Sequence, residues 1–163
     1  MTNTDHHASP ETFMHRAIEL SRQGVTAGDG GPFGAVVVKD GIIVGEGWNQ
    51  VISGCDPTAH GEITAIRDAG RRLQTFDLQG CDIYSTGEPC PMCLCAIYWA
   101  RIDRVFYGFS IADAAAIGFD DRVFYDQMAK PMKDRQVPET QLLRDQAFAV
   151  AQEYMADPDR IRY

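Results

Sequence analysis

Residues 34–49 read GAVVVKDGIIVGEGWN. Two β-branched runs flank Asp40-Gly41, a pair suited to the left-handed backbone of a two-residue hairpin, so strands are expected at about 34–39 and 42–48. Toward the N-terminus, a Gly-rich loop (28–33) follows a helix expected from about Pro10 to Gly24. Phe13, Ala17, Ile18 and Leu20 form its apolar stripe, and Ser9-Pro10 supplies a cap and a first-turn proline. Toward the C-terminus, residues 59–73 read as a helix with Ile63, Ile66, Ala69 and Leu73 at three- and four-residue spacing. A short strand (81–86), a helix (91–100) and another strand (104–109) follow. The 91–100 helix is apolar nearly all round, which predicts burial on both sides. Strands alternating with helices give an α/β layered domain.

After residue 109 the patterning weakens. Residues 112–118 read as a short helix or turn, and 122–129 as a helix. Pro131 and Pro138 punctuate a connection, and a last helix is expected at about 146–155. Residues 1–9 read as a disordered leader, and residues 10–163 as a single domain.

The chain has 163 residues, with 15 basic and 23 acidic side chains and a net charge of −8. That length suits one domain with a core large enough to do without disulfides. The acidic balance counts against a protein whose main task is gripping nucleic-acid phosphates, because that affinity comes from clustered Lys and Arg. No apolar stretch approaches the roughly 20 residues that span a bilayer, and the first residues carry no secretory signal pattern. A cytoplasmic protein with no nucleic-acid or membrane partner is the expectation. Five cysteines (Cys55, Cys81, Cys90, Cys93, Cys95) are an odd number in such a chain, which favours metal binding or catalysis over a disulfide framework.

The chemistry concentrates in His60-Gly61-Glu62 and Pro89-Cys90-Pro91-Met92-Cys93. Cys90 and Cys93 stand three apart at a helix start, where the helix dipole favours thiolates. His60 is expected in the first turn of its own helix. If the two N-termini face each other, one histidine and two cysteines converge. Three protein ligands suit a catalytic Zn2+ with an open fourth position better than a closed structural site. Two thiolates neutralise the ion and weaken its acidifying effect on water, so a nearby carboxylate is needed to move protons. Glu62, two residues past the ligand, is placed for that role.

These residues match the H-x-E and P-C-x-x-C signature of the zinc-dependent cytidine deaminase superfamily. Within it the chain resembles the bacterial guanine deaminases, through GGPFGAVVVKDG (30–41), DPTAHGEITAIR (56–67), EPCPMCLCAIYWAR (88–101), AIGFDD (116–121) and the terminal Tyr163. The resemblance implies a three-layer α/β/α domain with a central mixed sheet of about five strands. It implies one Zn2+ per chain, a small purine substrate, and hydrolysis of guanine to xanthine and ammonia. It implies that Asn49 and Phe33 contact the purine and that Asp121 assists proton transfer. It also implies a homodimer in which residues from about 140 to 163 are exchanged, bringing Tyr163 to the partner's substrate. Gly61 replaces the family's usual alanine, which removes a methyl beside the pocket. Guanosine or another aminoheterocycle, tRNA adenosine, and a structural zinc module stand as alternative readings.

Several residues carry blander readings. Cys55, Cys81 and Cys95 are expected to be small core residues, and Trp99 to be core or dimer interface. Glu88 is expected to bind backbone amides. Arg71-Arg72 and Arg101 with Arg104 read as solvated helix ends, and Asp120 and Asp121 as a pair capping the helix ahead of Arg122.

Overall fold

The computed structural model describes residues 9–162. Tyr163 and, but for Ser9, the expected leader lie outside the described residues. The chain divides into a unit ending at Arg122 and a second unit, Val123 to the C-terminus.

In the first unit, helix α1 (Pro10–Ala27) leads into strands β1 (Gly34–Lys39) and β2 (Ile42–Trp48). Then come α2 (Gly61–Leu73), β3 (Cys81–Gly87), α3 (Pro91–Trp99), β4 (Arg104–Phe109) and α4 (Ile111–Ala116). The hairpin forms as its turn residues require, with Asp40 and Gly41 at φ of 50° and 77°. Helix α1 runs one turn further than its stripe suggests, and ends at Gly28 in the left-handed conformation (φ 74°).

The sheet is mixed, in the order β2-β1-β3-β4. β1 pairs antiparallel with β2 and β3, whereas β3 and β4 are parallel and joined through α3. It has four strands among the described residues, where about five were expected. The four are those legible in the sequence, and after Phe109 the chain turns helical. Alternation along the strands splits the core into two layers. Ala35, Val37 and Ile83 pack with Ala65, Ala69 and Ile97 on the α2 and α3 side. Val36, Val38 and Tyr84 pack with Phe13 and Leu20 of α1 on the other. Gly45 permits the close seating of α2 on β2, since a Cβ there would sit 2.5 Å from the Ala65 carbonyl oxygen.

Two expectations fail on α3. Pro91, Cys93 and Ile97 are buried, but Tyr98 and Trp99 are 75% and 70% exposed, and Cys95 is exposed. Among the described residues the helix is covered on one side only. Cys81 is a core residue as expected, whereas Cys55 lies exposed in a turn.

The second unit holds α5 (Arg122–Ala129, starting at the boundary), a short 3-10 turn (Met132–Asp134) and α6 (Arg144–Ala156). None of its described residues is buried.

Candidate active site

The site is built from two helix N-termini. His60 is the residue capping α2, which begins two residues later than expected, and Cys90 caps α3 with Cys93 in its first turn. His60 Nδ1 lies 3.6 Å from both Cys90 Sγ and Cys93 Sγ. A tetrahedral zinc ion, with bonds of about 2.3 Å to sulfur and about 2.1 Å to nitrogen, sets its N and S ligands about 3.6 Å apart. These three residues therefore fit zinc in distance as well as in donor type, and among the described residues their ligand atoms converge without a fourth protein ligand.

The thiols respond to one another and to the histidine. The hydrogen bond from Cys93, together with His60, brings the Cys90 thiol down to about 4. The contact with Cys90, together with burial, pushes the Cys93 thiol up. The Cys90 thiolate in turn raises His60. A dication among them takes both sulfurs as thiolates.

Glu62 sits in the first turn of α2, 4% exposed. Its Oε1 accepts from Ser85 Oγ at 3.1 Å, and its Oε2 accepts from Cys93 Sγ at 3.4 Å. Burial raises its carboxyl above the ordinary range, with the hydrogen bonds opposing. A carboxyl in that condition can both take and return a proton.

A cavity of about 250 Å3 opens over the cluster. His60, Glu62 and Cys90 line it, together with Phe33, Asn49, Glu88, Phe119 and Asp121. Asn49 is buried, its N–H donates to the Phe33 carbonyl oxygen at 2.8 Å, and its Oδ1 accepts from Val51 N–H at 3.2 Å. Glu88 Oε2 accepts from Ile111 N–H at 3.1 Å, the amide-binding role expected of it. That bond and the Ser110–Asp113 capping box fix the start of α4. The loop after α4 then turns through Gly118 (φ 100°) and carries Phe119 and Asp121 to the cavity.

Phe119 escaped the sequence reading, although it lies in the quoted AIGFDD stretch. Its ring meets that of Phe33 edge-on at 5.0 Å. The two aspartates differ: Asp120 binds the Arg122 backbone N–H and guanidinium, whereas Asp121 lines the cavity. Burial raises the Asp121 carboxyl, as does the Cys90 charge, against an opposing effect of His60. Gly61 is not among the lining residues, and its missing Cβ would point at the Phe33 carbonyl. Three of the arginines read as solvated meet acids: Arg72 and Arg71 pair with Asp68, and Arg104 with Asp82.

Among known proteins, the family described as the cytidine and deoxycytidylate deaminase zinc-binding region matches residues 7–109. A guanine deaminase of Bacillus subtilis (strain 168) is 54% identical over 128 residues, 78% of this chain and 82% of that protein. The X-ray structure of guanine deaminase from Bacillus subtilis superposes with a TM-score of 0.91, at 46% identity, over 95% of this chain and 99% of that chain. A structure of guanine deaminase from Nitrosomonas europaea gives a TM-score of 0.67 at 34% identity, covering 92% and 86%. Similar solved chains are complexes with 2,6-diaminopurine and with 8-azaguanine. A tRNA-specific adenosine deaminase of Haemophilus influenzae is more distant, 43% identical over 117 residues, 68% of this chain and 67% of that protein.

Proposed function

The chain belongs to the cytidine and deoxycytidylate deaminase zinc-binding family, and from that premise we propose that it hydrolyses guanine to xanthine and ammonia. The observation that carries this reading is the buried Glu62 carboxylate beside a three-ligand cluster, with Glu62, His60 and Cys90 lining a small cavity. A structural zinc module has no use for that carboxylate.

His60 Nδ1, Cys90 Sγ and Cys93 Sγ would hold the zinc. When bound, the ion supplies a Lewis acid that makes water a nucleophile near neutral pH. Glu62 takes a proton from the attacking water and delivers it to a ring nitrogen as C2 of guanine becomes tetrahedral. The remaining proton of the new C2 hydroxyl passes to the 2-amino group, and the C2–N bond breaks to release ammonia as the carbonyl forms. Asp121 stands on the cavity wall, where it can assist this second transfer. Phe33 stacks on the purine plane and Asn49 hydrogen-bonds its edge.

The same reading makes the protein a cytoplasmic homodimer that exchanges residues from about 140 to 163. Its five free thiols suit a reducing compartment. The absence of buried residues among the described part of the second unit supports a partner. Tyr163 would reach the substrate of the other subunit. Among the described residues no helix is long and apolar enough to cross a membrane.

Ammonia release from guanine, guanosine, cytosine and tRNA, each with and without chelator, tests the proposal. Release from guanine is expected, lost on chelation and restored by zinc. Preferential release from guanosine or tRNA would overturn the substrate assignment, and inertness of the zinc-loaded protein toward all four would overturn the enzymatic one.

A further inference from the structure

Gly61 stands between His60 and Glu62 at the start of α2 without lining the cavity. A Cβ there would lie 3.1 Å from the Phe33 carbonyl oxygen, 3.2 Å from its carbon and 3.3 Å from Gly34 Cα. All three distances are tighter than ordinary carbon contact, so a methyl would force a shift of a few tenths of an ångström. The neighbour that must give is backbone, and it is tied: the Phe33 carbonyl accepts from Asn49 N–H at 2.8 Å. Pressure at Gly61 therefore reaches the two residues that hold the purine. Gly61 is the point where the helix start carrying His60 and Glu62 meets the backbone carrying Phe33 and bonded to Asn49.

We propose that Gly61 is a positioning residue, whose missing methyl sets the spacing between Glu62 and the Phe33–Asn49 wall and so the grip on the purine. The inference rests on the guanine deaminase reading and deepens it. Glycine at the start of a helix lowers helix propensity relative to alanine. A purely structural view therefore expects Gly61→Ala to be neutral or stabilising, with unchanged kinetics. Positioning expects a different signature, because displacing reacting groups by a fraction of an ångström weakens binding and alignment.

The test compares Gly61→Ala with Gly70→Ala, a second glycine of α2 whose added Cβ would meet Thr75 and not the cavity. Steady-state kinetics on guanine, binding of 8-azaguanine by calorimetry, zinc content and melting temperature are measured for both. Gly61→Ala is expected to raise KM and weaken 8-azaguanine binding by about three- to tenfold, with kcat within about twofold. Zinc content stays full and the melting temperature does not fall, while Gly70→Ala keeps wild-type KM and affinity. Wild-type KM and affinity in Gly61→Ala would overturn the inference, as would an equal rise in Gly70→Ala. So would a Gly61→Ala protein that fails to fold or to hold zinc, since a backbone that cannot yield does not set a spacing. If the wild type instead ignores guanine, the substrate reading fails separately. The two variants are then compared on whichever aminoheterocycle is turned over.

Discussion

Residues 34–109 and residues 123–162 are comparable stretches of chain under opposite conditions. In the first, strands lie between two helical layers and alternate residues disappear into one core or the other. In the second, α5 and α6 contribute no buried residue, and twelve large apolar side chains from Val123 to Ile161 are exposed. An apolar surface on that scale asks for a partner. The first region buries its alternate residues between its own layers and carries the His60, Cys90 and Cys93 cluster, whereas the second, among its described residues, buries none.

The largest effect should come from the chemical centre of the first region. Glu62→Gln keeps the shape of the side chain and removes its ability to take a proton. Turnover of guanine should fall by about 10²–10⁴-fold, the range for a lost general acid–base group. Zinc content, measured by metal analysis, should stay at one ion per chain. Full activity in this variant would break the view that the buried carboxylate is what the first region exists to position.

Next comes the interior of that region. Ile83 is fully buried between the α2 and α3 layer and the sheet. Ile83→Ala should cost about 2–5 kcal/mol in denaturant unfolding, through lost burial and a residual cavity. On the other side of the comparison, Phe148 of α6 is 43% exposed. If a second copy covers it, Phe148→Asp buries a charge at the interface and should weaken dimerisation by about 2 kcal/mol or more. Analytical ultracentrifugation then shows monomer at concentrations where the wild type is dimeric. An unchanged sedimentation profile would mean that α6 is not covered by a second copy.

The contrast also explains what was legible in the sequence. All four strands and the helices up to α3 followed from periodicity, because each had a layer of its own chain to face. The two cysteines and the histidine followed from spacing, because metal ligands must leave helix starts at fixed separations. The failures sit where partners are missing or local. Cys95 and the outer side of α3 read as buried because the helix is apolar nearly all round, yet nothing among the described residues covers that side, where Trp99, read as core or interface, is exposed too. His60 caps the helix where the first turn was expected, a difference of two residues in the helix start that periodicity does not resolve. Phe33 and Asn49 came only through resemblance, since a lone aromatic or amide beside a glycine loop carries no pattern of its own.

Phe119 is the sharpest of these cases, and the smallest predicted effect follows from it. It lies beyond the last strand, where the patterning has faded, yet it belongs to the same unit as the first region because α4 delivers it to the cavity. The Glu88–Ile111 bond and the Ser110–Asp113 capping box hold that helix, and Phe119 N–H donates to the Ala114 carbonyl at 2.9 Å. The ring then braces Phe33 edge-on. Such an aromatic pair contributes about 0.5–1.5 kcal/mol beyond its buried area. Phe119→Leu keeps much of the apolar bulk and removes the edge-to-face geometry. If the brace holds Phe33 for stacking, KM for guanine should rise by about two- to tenfold with kcat little changed. A fall in kcat at constant KM would instead tie Phe119 to its neighbour Asp121 and the proton transfer. An unchanged enzyme would make the ring a solvent-facing residue like those of the second region, 41% exposed and without consequence.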